Sequence, residues 1–141
     1  SRFMWPVTGR VSDQLGWRIH PVTRKRDYHK GVDIAAPKGQ KIVASATGKV
    51  LYSGASRGYG NLIILQHDGG YTSRYAHCSS LSAKGGETVI QGQVIAKVGA
   101  TGLATGPHLH FELRKKGKIV DPEDFIGPLP GSYGGRVIAR R

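Results

Sequence analysis

Two histidines spaced two residues apart are the first feature of this sequence that could do chemistry. His108 and His110 stand in the stretch TGPHLHFEL, residues 105–113. On a β-strand, side chains at i and i+2 point to one face, so both imidazoles would share one space while Leu109 points away. Two imidazoles fixed side by side suit a metal site or an acid–base pair. The alternative is an exposed strand that carries two solvated histidines.

A second group of candidate ligands lies in HKGVDIAAPKG, residues 29–39. His29 and Asp33 are four residues apart, and an extended segment would place both on one side of a regular strand. A catalytic zinc typically takes three protein ligands and keeps a fourth position for water, so one histidine of the pair would complete the set. His77, at the end of the alternating stretch GGYTSRYAH, is a further candidate. The alternative is a separate surface or core position for each residue.

The single cysteine, Cys78, directly follows His77. It cannot form an internal disulfide, and one cysteine gives no zinc-finger spacing. A Cys–His nucleophile would need both side chains on one face, whereas neighbours on a strand face opposite sides. We therefore predict a small packing residue, because free cysteine usually behaves as a buried apolar group.

Length and composition indicate one folded domain. The chain has 141 residues, of which 38% are hydrophobic, enough for a core of ordinary size. No stretch of 18 or more apolar residues occurs, so no membrane-spanning helix is predicted. No charged-then-apolar leader opens the sequence, which starts at Ser1, and we expect a processed or excised domain.

Positive charge is concentrated towards the two ends of the sequence, and the net charge is +12. Residues 1–30 carry seven Lys/Arg and two acids, and residues 114–141 carry seven and three, whereas residues 31–113 contribute only +3. Such a balance favours a polyanionic partner, such as a wall polymer, a nucleic acid or an acidic lipid. A solvated basic surface without a dedicated partner explains it equally well.

Short strands separated by glycine turns dominate the sequence, and helix signals are weak. Hairpin turns are predicted at Asp68–Gly70 and at Lys116–Gly117. Residues 37–54 and 83–102 resemble each other faintly, which predicts two similar hairpin units. The fold class that follows is mostly β, in a single antiparallel β domain.

The domain is expected to occupy residues 1–126, with a looser N-terminal part up to residue 30. Residues 127–141 read GPLPGSYGGRVIARR. Their proline, glycine and arginine content favours an irregular basic C-terminal tail.

The order of several sequence blocks resembles one known family. The blocks are GWRIHP, HKGVDIAAPKG, GYGNLIILQH, TSRYAH, GETVIQGQVIAKVGATG and TGPHLHFE, and they cover roughly residues 17–122. The chain is similar to the lysostaphin-type, or LytM-like, zinc endopeptidases, which cut peptide cross-links in bacterial cell walls. The resemblance implies Zn²⁺ as the cofactor and a LytM-like fold of duplicated-hybrid type, with a narrow substrate groove between loops.

The same resemblance implies a role for each candidate residue. His29 and Asp33 of HKGVD match two zinc ligands, and His110 of HLH matches the third. His77 of YAH and His108 of HLH match two catalytic histidines that are not ligands. All five positions hold the expected residue types, which argues against the degenerate family members that have lost ligands and serve as regulators.

The implied function is hydrolysis of peptide cross-links in bacterial peptidoglycan, in wall lysis or remodelling or as a phage-borne lysin domain. Arg18 of GWRIHP is expected to contact substrate in the groove, and a surface arginine is the alternative. The surrounding block is more similar to members that cut direct diaminopimelate cross-links than to those that cut glycine bridges. Such an enzyme would act outside the cytoplasm (secreted, periplasmic or wall-associated) or in a phage virion.

Two other function classes compete with this interpretation. A catalytically inactive module that binds cell wall or polyanions is favoured by the charge at both ends and opposed by the complete ligand set. A nucleic-acid enzyme is suggested only by the net charge of +12, because no nucleic-acid motif or RNA-binding aromatic stripe is present. Zinc content, together with cleavage of purified peptidoglycan, would separate the classes.

Overall fold

Short antiparallel strands make up about half of the part of the chain that the computed structural model describes, residues 2–130. The strands of this part are β1 (Arg10–Asp13), β2 (Gly16–Ile19), β3 (Arg26–His29), β4 (Val32–Ala35), β5 (Lys41–Val43), β6 (Gly48–Ser56), β7 (Gly60–Gln66), β8 (Tyr71–Cys78), β9 (Ser80–Leu81), β10 (Thr88–Val89), β11 (Val94–Lys97), β12 (His108–Lys115) and β13 (Lys118–Val120). A 3₁₀ turn covers Asp68–Gly70, and helix α1 covers Pro122–Ile126. The predicted mostly β, antiparallel fold class is confirmed.

Three sheets share these strands. The largest has the order β1-β4-β12-β8-β7-β6-β10, with β13 added beside β12. A three-stranded sheet has the order β5-β11-β9, and β2 pairs with β3 alone. Strand β12 therefore lies inside the large sheet, paired with β4 over residues 108–111 and with β8 over residues 110–115.

The two faces of β12 have different chemistry. Leu109, Phe111 and Leu113 are fully buried and belong to the hydrophobic core. The alternate residues His110 and Glu112 are also buried, but they point to the opposite face. A central strand buried on both faces is the stiff element that the histidine pair requires, because its neighbours fix it on both sides.

Both predicted hairpins with local turns are confirmed. Strands β7 and β8 pair across the turn at Asp68–Gly70, and β12 pairs with β13 across Lys116–Gly117. Lys116 and Gly117 both have positive φ, 50° and 80°, as a two-residue hairpin turn with the right twist requires.

The two predicted hairpin units, residues 37–54 and 83–102, are not hairpins. Strand β5 pairs with β11, and β6 pairs with β10, so each unit pairs with the other instead of with itself. Each turn carries the chain from one sheet to the other, which puts the two strands of a unit in different sheets. The partner of each strand is therefore remote in sequence.

The N-terminal part is more ordered than predicted. Strand β1 forms the edge of the large sheet beside β4, and Phe3, Val7 and Val11 are buried in the core. Its strands are only four residues long and exposed on their outer side, so they carry a weak sequence signal.

The start of the predicted C-terminal tail also packs against the domain. Leu129 is buried in the core, and the indole Nε1 of Trp5 donates a hydrogen bond to the carbonyl of Gly127. The rest of the tail, residues 131–141, lies outside the described residues. Within residues 2–130, no helix has the length and apolar character needed to cross a bilayer.

Candidate metal centre

Three candidate ligands from distant parts of the sequence meet at one point. His29, Asp33 and His110 each direct one ligand atom to a common space, and these atoms lie within 4.8 Å of one another. The Asp33 Oδ1 atom is 2.8 Å from His110 Nδ1 and 3.1 Å from His29 Nε2. The two histidine nitrogens are 3.3 Å apart.

Strand register brings Asp33 and His110 together. They are direct cross-strand partners in the β4–β12 pair, where facing side chains are close neighbours. His29 does not share a strand with Asp33, as the spacing argument assumed. It ends β3, and the chain then turns through Gly31 into β4. A Cβ at Gly31 would lie only 2.3 Å from the carbonyl oxygen of Phe111, so this close passage requires glycine.

The donor set fits a tetrahedral divalent metal. Zinc–nitrogen and zinc–oxygen bonds of ~2.0–2.1 Å place the ligands of a tetrahedron about 3.3 Å from one another. The three observed separations, from 2.8 to 3.3 Å, are close to that value. Two imidazoles and one carboxylate are also the ligand types that zinc accepts in sites that keep a fourth position for water.

Carboxylates on both sides of His110 favour positive charge in this centre. Burial opposes ionisation of Asp33, but hydrogen bonds from His110 and His29 outweigh it and lower the pKa of Asp33 well below its usual range. Burial likewise acts against a charged His110, yet contacts with Asp33 and Glu112 raise the pKa of His110 to about 9. A bound cation would supply the same positive charge.

His77 lies beside the three ligands because of an irregularity in β8. The β7–β8 register shifts in the segment opposite Asn61 and Ile63, and His77 has a positive φ of 63°, which is uncommon outside glycine. Its backbone N–H donates to the carbonyl of Tyr59, and its Nδ1 donates to the carbonyl of Thr101. Burial lowers the pKa of His77 to about 4, so the ring is neutral near pH 7 with Nε2 as its acceptor.

His108 is the second histidine next to the ligands. Its ring centroid is 4.9 Å from that of His77, and its Nε2 is 3.8 Å from Asp33 Oδ1. Its Nδ1 is 2.8 Å from the carbonyl oxygen of Gly106 and donates to it. His108 therefore turns Nε2 towards the ligand cluster and anchors its other nitrogen on the backbone.

A cleft of about 630 Å³ opens over these histidines. One wall is the β2–β3 hairpin, and the other combines the β6–β7 turn with the loop before β12. These two loops are held together at Gly60 and Gly102, where a Cβ on Gly102 would lie 2.4 Å from the backbone nitrogen of Gly60. The residues of the two walls include Arg18, His20, Val22, Tyr28, Arg57, Tyr59, Leu103 and Pro107.

Arg18 lines the cleft, where the sequence analysis expected it, but acidic side chains surround its guanidinium group. It forms an ion pair with Asp13 and lies 3.4 Å from Asp27 Oδ1 and 3.8 Å from Asp33 Oδ2. Only 18% of the side chain is exposed. Arg18 is thus in a position to hold the second oxygen of Asp33 as well as to face the cleft.

Sequence reasoning missed two residues at this site. Glu112 is fully buried and accepts hydrogen bonds from His110 Nε2 and from the hydroxyl of Tyr59, at 2.8 and 2.9 Å. The signal for Glu112 was present, because it follows His110 by two residues and so shares its face of the strand. Tyr59 lies in a turn, and no local pattern marks it.

Cys78 is a core residue, as predicted. It is fully buried within the hydrophobic core, and burial raises the pKa of its thiol to about 12. A thiol held in its protonated form is a poor nucleophile, so a Cys–His mechanism has no support.

Comparison with known proteins places this chain in a family. The model of peptidase family M23 matches residues 27–122, which include all five predicted ligand and catalytic positions. The DD-carboxypeptidase/endopeptidase Mpg of Neisseria meningitidis is 42% identical over 124 residues, which are 88% of this chain and 29% of that protein. The murein hydrolase activator NlpD of Escherichia coli is 44% identical over 127 residues, 89% of this chain and 31% of that protein.

A solved structure shows the same fold. A zinc-containing peptidase from Vibrio cholerae matches with a TM-score of 0.78 and 35% identity, over 85% of this chain and 39% of that one. The chain thus spans about a third of the length of the curated relatives that it matches. The LytM-like resemblance of the sequence blocks is confirmed, and the chain belongs to peptidase family M23.

Proposed function

We propose that this chain is a zinc-dependent endopeptidase that hydrolyses peptide cross-links of bacterial peptidoglycan. The observation that carries the proposal is the grouping of three ligand atoms within 4.8 Å, with two further histidines beside them in one open cleft. The similarity to a protein named as an endopeptidase and to a zinc-containing peptidase supports it.

The ligands of the metal are proposed to be His29, Asp33 and His110, through Nε2, Oδ1 and Nδ1. When bound, zinc would polarise the scissile carbonyl and lower the pKa of a coordinated water towards ~7. The protein contributes the geometry, because the three atoms already stand at separations close to those of a tetrahedral site.

His77 and His108 are proposed to handle the protons of the reaction. Each donates from Nδ1 to a backbone carbonyl, which leaves Nε2 as the nitrogen that can exchange a proton. A neutral imidazole at this place can accept a proton from water, and an imidazolium can stabilise an oxyanion or protonate the leaving amine. The two rings are close enough to share these roles.

The cleft suits an extended peptide. It runs between the β2–β3 hairpin and the loops at Gly60 and Gly102, with the ligands and both histidines along it. Arg18 is proposed to contact substrate there, in addition to its ion pairs with Asp13 and Asp27. Because peptidoglycan lies outside the cytoplasmic membrane, we propose an extracytoplasmic place of action or a phage virion.

One observation favours a second candidate function. The chain is similar to a protein named as a murein hydrolase activator, which favours an inactive module that binds the wall or a partner protein instead of cutting peptide bonds. The complete set of ligand and catalytic residue types in this chain favours the enzyme.

Digestion of purified peptidoglycan tests the proposal. The protein should release new peptide amines in the presence of zinc, lose this activity with a chelator, and regain it when zinc is restored. Stoichiometric zinc binding without any release of amines would favour the inactive module.

A further inference from the structure

A polar stripe runs along the site face of β12 beyond the ligands. His108, His110, Glu112 and Arg114 alternate with the core residues of the strand, so they point to one face in sequence order. Glu112 is fully buried in the middle of this stripe. A buried carboxylate is costly unless it is paired, and an apolar residue of similar volume would usually be at least as stable there.

All the hydrogen-bonding neighbours of Glu112 are donors. One oxygen accepts from His110 Nε2 at 2.8 Å and from the Tyr59 hydroxyl at 2.9 Å. The other accepts from Arg114, at 2.8 Å from Nη2 and 3.2 Å from Nε, with Arg74 Nε at 4.0 Å. Only a group without its own N–H or O–H satisfies every one of these contacts.

The contact with His110 decides which ring nitrogen is left for a metal. A carboxylate can only accept, so Nε2 must carry the hydrogen and Nδ1 must face Asp33 and His29. In a neutral ring whose one hydrogen stood on Nδ1 instead, that hydrogen would occupy the space where the three ligand atoms meet.

We propose that Glu112 is a positioning residue that fixes His110 for metal binding through Nδ1. This inference rests on the metal site of the proposed function. Tyr59 extends the arrangement to the cleft, because its hydroxyl holds Glu112 while its backbone carbonyl accepts from the N–H of His77. One residue of the wall is thereby tied both to the ligand strand and to a proposed catalytic histidine.

Glu112→Gln tests the role of the carboxylate. The amide N–H groups would face donors, either His110 Nε2 and the Tyr59 hydroxyl or the Arg114 groups, so the full hydrogen-bond network cannot be restored. Loss of an outer-shell partner typically lowers metal affinity ~10–100-fold, and we expect a fall of that size in zinc affinity measured by chelator competition. Tyr59→Phe, which removes one of the donors and keeps the ring, should have a smaller effect in the same direction.

Ser73→Ala is the matched control. Ser73 is fully buried on the neighbouring strand β8, but its hydroxyl bonds to His67 and Tyr75, away from the ligands. The control should lower the melting temperature and leave zinc affinity unchanged. Zinc affinity equal to wild type in both Glu112→Gln and Tyr59→Phe would overturn the proposal.

Nuclear magnetic resonance of the zinc-loaded wild-type protein tests the proposal without any variant. Long-range ¹H–¹⁵N spectra should show the hydrogen of His110 on Nε2, in slow exchange with solvent. A hydrogen on Nδ1 would overturn the positioning role but leave zinc-dependent hydrolysis intact. A wild-type protein that binds no zinc would overturn this proposal and the proposed function together.

Discussion

Each histidine of this site has one anchored and one available ring nitrogen. The anchored nitrogen donates a hydrogen bond to a carbonyl or carboxylate oxygen: His29 to Gln14, His77 to Thr101, His108 to Gly106 and His110 to Glu112. Such bonds fix the tautomer and the ring plane, so the available nitrogens need no reorganisation to bind metal or exchange a proton.

Alanine at any proposed ligand should lower zinc content. His29→Ala, Asp33→Ala and His110→Ala each leave two of three ligands, and we expect well under one equivalent of zinc by elemental analysis after dialysis. The control is His20→Ala, because His20 lines the same cleft but accepts backbone N–H bonds with its Nδ1. A full equivalent of zinc in the His110→Ala protein would show that the ligand assignment is wrong.

Alanine at either proposed catalytic histidine should separate metal binding from hydrolysis. His77→Ala and His108→Ala should keep their zinc, because neither side chain belongs to the ligand cluster. General acid–base help is typically worth ~10²–10⁴ in rate, so release of amines from peptidoglycan should fall by that factor. Wild-type rates in both variants would remove the proposed mechanism.

At the residue level, the sequence indicated which side chains come together but not how they do so. His108 and His110 share a strand face, as the i, i+2 spacing predicts, whereas His29 and Asp33 meet through a turn between two strands. A strand face is a local property that spacing reveals. The approach of β3 to β4 depends on close passage of Gly31 over β12, which no local pattern encodes.

Elements with local partners were the ones that could be predicted. The β7–β8 and β12–β13 hairpins have turn residues that specify them, and both were foreseen. The pairing of β5 with β11 joins segments about 50–55 residues apart along the chain, and that of β6 with β10 joins segments about 40 residues apart. Turn chemistry carries no information on such partners.

His67 offers a test of how the β7–β8 hairpin is held. Its Nδ1 donates to the carbonyl of Thr47, and its Nε2 accepts from the hydroxyl of Ser73, which together require a neutral ring. Burial lowers its pKa in the folded protein. Below its ordinary pKa of about 6.5 the unfolded chain therefore binds more protons than the folded one, and this histidine reduces stability as the pH falls.

We expect His67→Gln to lower the free energy of unfolding at pH 7.5 by about 1–3 kcal/mol, because the Thr47 carbonyl and the Ser73 hydroxyl lose their hydrogen bonds to the ring. Between pH 7.5 and 5.5 the variant should lose less stability than wild type in urea unfolding, since the titrating ring is gone. Equal losses in the two proteins would contradict a neutral, buried His67.

Over the whole molecule, the basic residues at the two ends of the sequence lie at different distances from the site. The seven Lys/Arg of residues 1–30 include Arg18 and Lys30, which line the cleft. A second basic cluster, Arg114, Lys115, Lys116 and Lys118, lies around the turn after β12. At ~3.3 Å per residue, the length of the strand puts this turn roughly 25 Å from His108.

Charge reversal at the distant cluster should weaken wall binding without affecting cleavage. Lys116→Glu with Lys118→Glu should reduce co-sedimentation with walls and flatten its salt dependence, because exposed charges are screened within about 8 Å at physiological ionic strength. Cleavage of a short uncharged cross-link peptide should stay unchanged. Lys38→Glu with Lys84→Glu, two exposed lysines outside both the cleft and the clusters, controls for net charge.

Trimming the tail belongs to the same test, but the cut must follow Pro130. Leu129 is part of the core, so a cut at Gly127 would also destabilise the domain. Loss of residues 131–141 should reduce sedimentation more than peptide turnover. Wall binding that is insensitive to salt, to the charge reversals and to this cut would show that a shaped pocket, and not charge, brings the domain to the wall.

Cleavage of peptide cross-links at the proposed metal centre can be measured directly. Its most direct test is mass spectrometry of the fragments released by the zinc-loaded protein from purified peptidoglycans with direct and with glycine-bridged cross-links. We expect cross-linked fragments of at least one type to be split with the addition of one water and a new amine, and we expect a chelator or His108→Ala to prevent this. A zinc-loaded protein that binds both walls and leaves every cross-link intact would contradict this expectation.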